Sequence, residues 1–237
     1  MQLQSQKNLL TLAFILISTY TFSQTPVRFY AQAKAGYKNP VTGAVIVEPR
    51  YDAGSEFQEG FAIVITARKR GYINEKGAVA IPLQFDDASQ FFGGLARVTI
   101  GGKSGYINYK GEYVIQPIYN FADDFNNGLA RVARNGKFGF INTQGDAVIP
   151  FIYDDARNFT EGLAAVKKDL WGFIDEKGNV KIPLQYQDAF FFHDGIARVS
   201  DGAKNFYIDK NNAWVKDEVR HEEEEWETQK VPGEHEK

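Results

Sequence analysis

The sequence predicts an all-β tandem repeat of about 34 residues, built from three-stranded antiparallel meanders stacked in an open or superhelical array. Three observations carry this. One glycine recurs at Gly60, Gly94, Gly128, Gly162 and Gly195, in steps of 34, 34, 34 and 33 residues. Each is preceded three residues earlier by Phe57, Phe91, Phe125, Phe159 or Phe192 and followed by an apolar-Ala pair such as Leu129-Ala130. Between these landmarks, short apolar runs are punctuated by Gly, Asn and Pro, the grammar of strands and tight turns. A lone meander of this size cannot bury its apolar face, so the pattern must recur for stacking to supply a core. A closed toroid is the alternative shape, although 34 residues is short for the four-stranded blade of a propeller.

The fourth unit shows each element. Leu129 to Arg134 is a strand, and Asn135-Gly136 is a strong hairpin signal. Lys137 to Asn142 is the second strand, and Gly145 allows the positive φ of the next turn. Asp146 to Tyr153 is the third strand, and Pro150 makes it an edge or a bulged strand, since proline donates no ladder bond. Asp154 to Gly162 reads as a compact turn, with room for one helical turn, held down by Phe159. A second glycine precedes an aromatic residue throughout, at Gly36-Tyr37, Gly71-Tyr72, Gly105-Tyr106, Gly139-Phe140 and Gly172-Phe173. Arg28 stands eight residues before Gly36, as Arg131 does before Gly139, so Val27 to Gln32 is the first strand. The frame holds five full units, 26–60, 61–94, 95–128, 129–162 and 163–195, and a truncated sixth at 196–216.

The ends differ in composition. Lys7 followed by the apolar run Leu9 to Ile17, with Thr21 and Ser23 at the −3 and −1 positions of a cut before Gln24, reads as a signal peptide over residues 1–23. The run is too short to cross a bilayer. The mature chain is therefore expected to begin near Gln24, without membrane insertion, in the periplasm, at the cell envelope or outside the cell. Residues 217–237 form an acidic tail, expected to be a solvated, flexible segment, in which His221 and Glu222 to Glu225 are a weak cation-binding candidate. The repeat domain spans residues 24–216.

Lys168-Asp169-Leu170-Trp171-Gly172-Phe173-Ile174-Asp175-Glu176-Lys177-Gly178, followed by Ile182-Pro183, Tyr186, Asp188-Ala189, Phe192 and Gly195 to Val199, resembles the WG-containing (KWG) repeat of bacterial proteins. The likeness covers about 26–216. Trp171 is the one tryptophan before its glycine; Ala35, Arg70, Ser104 and Phe138 hold that place in the other full units. The resemblance implies a β-rich scaffold, frequent in secreted or envelope-associated proteins, and brings no defined reaction.

Catalytic constellations are sparse. Absence of Cys excludes disulfides, thiolate metal sites and cysteine nucleophiles. His193, His221 and His235 lack metal-ligand spacing, and no G-x-S-x-G elbow is present. No cofactor or metal is expected. A net charge of −3 gives no reason to expect nucleic acid as a partner. The acid pairs Asp86-Asp87, Asp123-Asp124 and Asp154-Asp155 recur in turns, which favours capping over acid–base catalysis. Arg28, Arg97, Arg131 and Arg198 recur on one strand face, interrupted by Ile63 and Ala165. They form a row that either grips an acidic polysaccharide or protein patch or bonds the Asp of neighbouring turns, the second being favoured. Trp171 joins this row as a candidate ligand contact. Tyr72, Tyr106, Phe140 and Phe173 form an aromatic ladder that either stacks sugars or, as favoured, fills the core. Together these features imply an exported, non-catalytic scaffold for protein–protein interaction, with a carbohydrate-binding module recognising polysaccharide as the alternative.

Overall fold

The computed structural model describes residues 25–217, so the leader, its cut site and the His221 cluster of the tail lie outside the described residues. The chain forms six consecutive antiparallel sheets and no helix among the described residues. The first sheet has three strands, Val27–Ala31, Lys34–Lys38 and Val45–Tyr51. The other five have four each, joined in sequence order. In the fourth sheet these are Phe121–Ala122, Leu129–Arg134, Lys137–Asn142 and Ala147–Tyr153. Each sheet packs on the next in sequence, giving a stacked array of all-β repeats.

The expected three-stranded meander therefore gains a fourth, two-residue strand. The compact turn expected after the proline strand is extended instead. In the fifth sheet, Asp155-Ala156 pairs with Val166-Lys167, and Asp154 N and Arg157 N donate to Lys167 O and Ala165 O at 2.8 Å each. The return is then made at Glu161-Gly162, with φ of 50° and 85°, while Thr160 and Leu163 exchange backbone bonds at 3.0 Å. Two consecutive positive φ values match the right-handed twist of the flanking strands, and a helical turn would forfeit both ladders. The segment read as a truncated sixth unit completes a full sheet, because Asp188–His193 pairs with Ile196–Ser200.

The proline strand is bulged, as the missing N–H of proline requires. Phe138 faces Tyr153 and Phe140 faces Ile149, so the one residue between them on one strand, Gly139, stands against three on the other, Pro150, Phe151 and Ile152. The bulged strand crosses directly over Gly139, where a Cβ would lie 2.6 Å from Ile149 O and 3.0 Å from the Pro150 carbonyl carbon. This close approach explains the second glycine landmark.

The core lies between sheets. Phe140, Ile149, Tyr153, Ala156, Ala164, Val166 and Ile174, from the fourth and fifth sheets, form one cluster. Each third-strand ring meets the Phe that precedes the next return: Tyr106–Phe125 at 4.6 Å, Phe140–Phe159 at 4.7 Å and Phe173–Phe192 at 4.9 Å between centroids. Burying each such ring contributes about 1.5–3 kcal/mol, so the stack stabilises what one unit cannot.

Candidate functional site

The aromatic ladder is core. Tyr72, Tyr106, Phe140 and Phe173 are at most 1% exposed. Where the ring is a tyrosine, its hydroxyl crosses to the next sheet: Tyr37 donates to Ser55 O at 2.9 Å, Tyr72 to Ser89 O at 2.6 Å and Tyr106 to Asp123 O at 2.5 Å. Burial raises these phenols well above their ordinary pKa. Trp171 is also core, at 5% exposed, facing Tyr186 across the strand pair with the Arg157 guanidinium 5.0 Å from its ring.

Arg28, Arg97 and Arg131 act as staples between sheets. Arg28 donates to Gly54 O in the second sheet and pairs with Glu56 at 3.3 Å. Arg97 pairs with Asp87 in its own sheet at 2.9 Å and with Asp124 in the next at 3.4 Å. Arg131 holds Asp123 through Nε and Nη2 at 2.8 Å, while Nη1 donates to Ala156 O of the fifth sheet. Arg198, in the last sheet, lies 4.7 Å from the Phe190 ring. Two arginines outside the row serve where it breaks. Arg70 donates to Asp86 O in the unit with Ile63. Arg157, whose N donates to Ala165 O in the fifth sheet, donates through Nε to Ala189 O at 2.6 Å. The coincidence of a missing row arginine with an arginine elsewhere against the same sheet is the signal that strand alternation alone did not reveal.

The acid pairs are similarly engaged. Asp86 accepts from Lys69 of the preceding sheet at 2.5 Å and from Gly101 N of the following one at 2.8 Å. Asp52 does the same with Lys34 at 2.5 Å and Ala67 N at 2.8 Å, and Asp154 with Lys137 and Asp169 N. Asp175 caps its own turn, accepting from Asn179 N at 2.8 Å and Asn179 Nδ2 at 2.9 Å. The lysine bonds hold Asp52, Asp86 and Asp154 below the usual carboxylate range, and the Asn179 bonds bring Asp175 to about 2. A depressed folded pKa contributes stability that is present above the unfolded value and lost as pH falls through the folded one. The unfolding midpoint is therefore expected to be flat above about pH 5 and to fall between about pH 5 and pH 2. Thermal melts across that range check it, and a midpoint constant down to pH 2 would exclude these staples as contributors.

Among the described residues, Glu161, His193 and Asp194 bring potential ligand atoms within 4.8 Å of one another. The group is exposed, and Glu161 already accepts from Gly195 N at 3.1 Å and pairs with Lys210 at 3.0 Å.

Two surface features were not legible in the spacing. Beside the returns, an open pocket of about 470 Å³ is lined from four successive units by Gln58, Gln90, Asn126 and Asn158, with Asp123, Asp124, Phe92 and Phe125. On the outer strands of the third and fourth sheets, Val114, Ile118, Val148 and Ile152 are each 39–44% exposed. At the positions of Ile118 and Ile152 the neighbouring sheets carry Arg50, Gln84 and Gln185, and at those of Val114 and Val148 they carry Ile46, Ala80 and Lys181, although each of those strands also exposes a valine, Val45, Val79 or Val180.

The stack of four-stranded sheets, with its cations and rings turned inward to join them, defines an all-β repeat scaffold. The chain belongs to the WG-containing repeat family, whose model matches residues 36–66, 71–103, 105–138, 138–169 and 171–204. No curated protein matches it in sequence. Among solved structures it is similar to Kluyveromyces lactis Hsv2, at 11% identity over 79% of this chain and 71% of that one, with a TM-score of 0.46. A eukaryotic initiation factor aligns at 8% identity over 81% and 62%, with a TM-score of 0.48. YCF48 bound to D1 peptide aligns at 10% identity over 67% and 65%, with a TM-score of 0.40.

Proposed function

We propose that this protein is an exported, non-catalytic scaffold that binds a protein partner at the cell envelope or outside the cell. The observation that carries the reading is the outer apolar edge formed by Val114, Ile118, Val148 and Ile152. Branched apolar side chains exposed at the same two positions of consecutive outer strands favour a contact that removes them from water. The leader-like residues 1–23 support export. The glycan reading loses most of its first two supports, since the aromatic ladder is buried and Arg28, Arg97 and Arg131 join sheets.

Co-sedimentation of the purified chain with the envelope fraction of the producing cell tests the proposal. Binding is expected to disappear after protease treatment of that fraction. It is expected to weaken at least about tenfold in the double variant Ile118→Glu, Ile152→Glu, which places charge on exposed positions. Binding that survives both changes overturns the reading.

A further inference from the structure

The pocket beside the returns shares no lining residue with this edge. Gln58, Gln90, Asn126 and Asn158 each come from a different unit, so four successive returns bring one carboxamide apiece to a single opening. A carboxamide both donates and accepts. Gln90 is already oriented, because its Nε2 donates to Glu56 O at 2.9 Å, which leaves its carbonyl oxygen to accept. Asp123 and Asp124 add acceptors, and each is charge-matched by an arginine, Arg131 at 2.8 Å and Arg97 at 3.4 Å. The lining thus offers many hydrogen-bonding groups and little net charge to draw an ion. Phe92, 60% exposed, supplies a flat apolar ring at the same opening.

We propose that this pocket binds a neutral saccharide. Ring hydroxyls, which donate and accept in close succession, match the carboxamides and carboxylates, and the C–H face of a sugar suits the Phe92 ring. An apolar peptide side chain would instead require a mostly apolar lining. Short hairpins hold the groups: the return at Asn127-Gly128 has φ of 49° and 82°, with Asn126 and Leu129 bonded across it at 2.9 and 3.1 Å. The backbone that carries each carboxamide is thus fixed before binding, which lowers the ordering cost. This site is separate from the outer edge and stands without the protein-partner reading.

The test is titration of the isotopically labelled chain with maltohexaose, cellohexaose, chitohexaose and mannohexaose at millimolar concentration. The side-chain amide resonances of Gln58, Gln90, Asn126 and Asn158 are followed by NMR. A Gly-Ser peptide and an oligogalacturonate serve as comparisons. Saturable shifts of these resonances with at least one neutral oligosaccharide are expected, with affinity falling at least about tenfold in both Asn158→Ala and Phe92→Ala. Both residues are exposed, and near-UV circular dichroism confirms that the variants keep their packing. Absence of shifts with all four sugars, shifts confined to the peptide or the anionic sugar, or affinity unchanged in the variants would each overturn the proposal. Loss of protease-sensitive envelope binding with this titration intact would strike the outer-edge reading alone.

Discussion

Replacing Gly139 by alanine is expected to destabilise the protein by about 3 kcal/mol, the upper part of the range for forced overpacking. The added Cβ would sit 2.6 Å from Ile149 O, an atom of the bulged proline strand rather than a flexible side-chain end. Relief requires moving that strand, which also carries Ile149 and Tyr153 into the cluster shared with the fifth sheet. For a chain of this length the melting midpoint should fall by about 6–12 °C. Gly128→Ala is the control. Gly128 has φ of 82° and nothing within 4 Å of an added Cβ, so only the left-handed backbone is penalised, by about 1 kcal/mol. Urea denaturation of both variants measures the difference. Equal effects would mean that the bulged strand accommodates the added Cβ and that close approach does not explain the second glycine of each unit.

Arg131→Ala is expected to cost about 2–3 kcal/mol. The side chain is 19% exposed and bridges two sheets, holding Asp123 with two nitrogens and the Ala156 carbonyl with the third. Truncation leaves a partly buried carboxylate and a carbonyl without their partner, and that loss exceeds the net value of the bonds themselves. Arg131→Lys should recover only part, since an ammonium lacks the fork that reaches both sheets at once. Guanidinium denaturation gives the stability, and envelope co-sedimentation of the folded variant gives binding. Unchanged stability with lost binding would return Arg131 to the ligand-binding role considered from the strand pattern.

Local chemistry made much of this architecture legible from residues alone. Asn135-Gly136 dictates a tight hairpin, Pro150 a bulge, and the spacing from Gly60 to Gly195 a stack, because each acts through the backbone of its immediate neighbours. The same local logic explains why the residue before the second glycine varies among Ala35, Arg70, Ser104, Phe138 and Trp171. That position faces Tyr51, Phe85, Tyr119, Tyr153 or Tyr186 across the strand pair, so any side chain that packs on the opposing ring serves.

Tertiary structure alone decided the fourth strand, the work of the arginines and the two surfaces. Asp155-Ala156 has no strand character by itself; it becomes one when the return at Glu161-Gly162 folds Val166-Lys167 against it. Arg131 and Ala156 are 25 residues apart, and Gln58 and Asn158 belong to units separated by two others. Their meeting depends on how each sheet twists and packs on the next. Periodicity specifies that equivalent residues recur, whereas the geometry of stacking determines which of them face one another, which face a carbonyl of the following sheet, and which are left facing water.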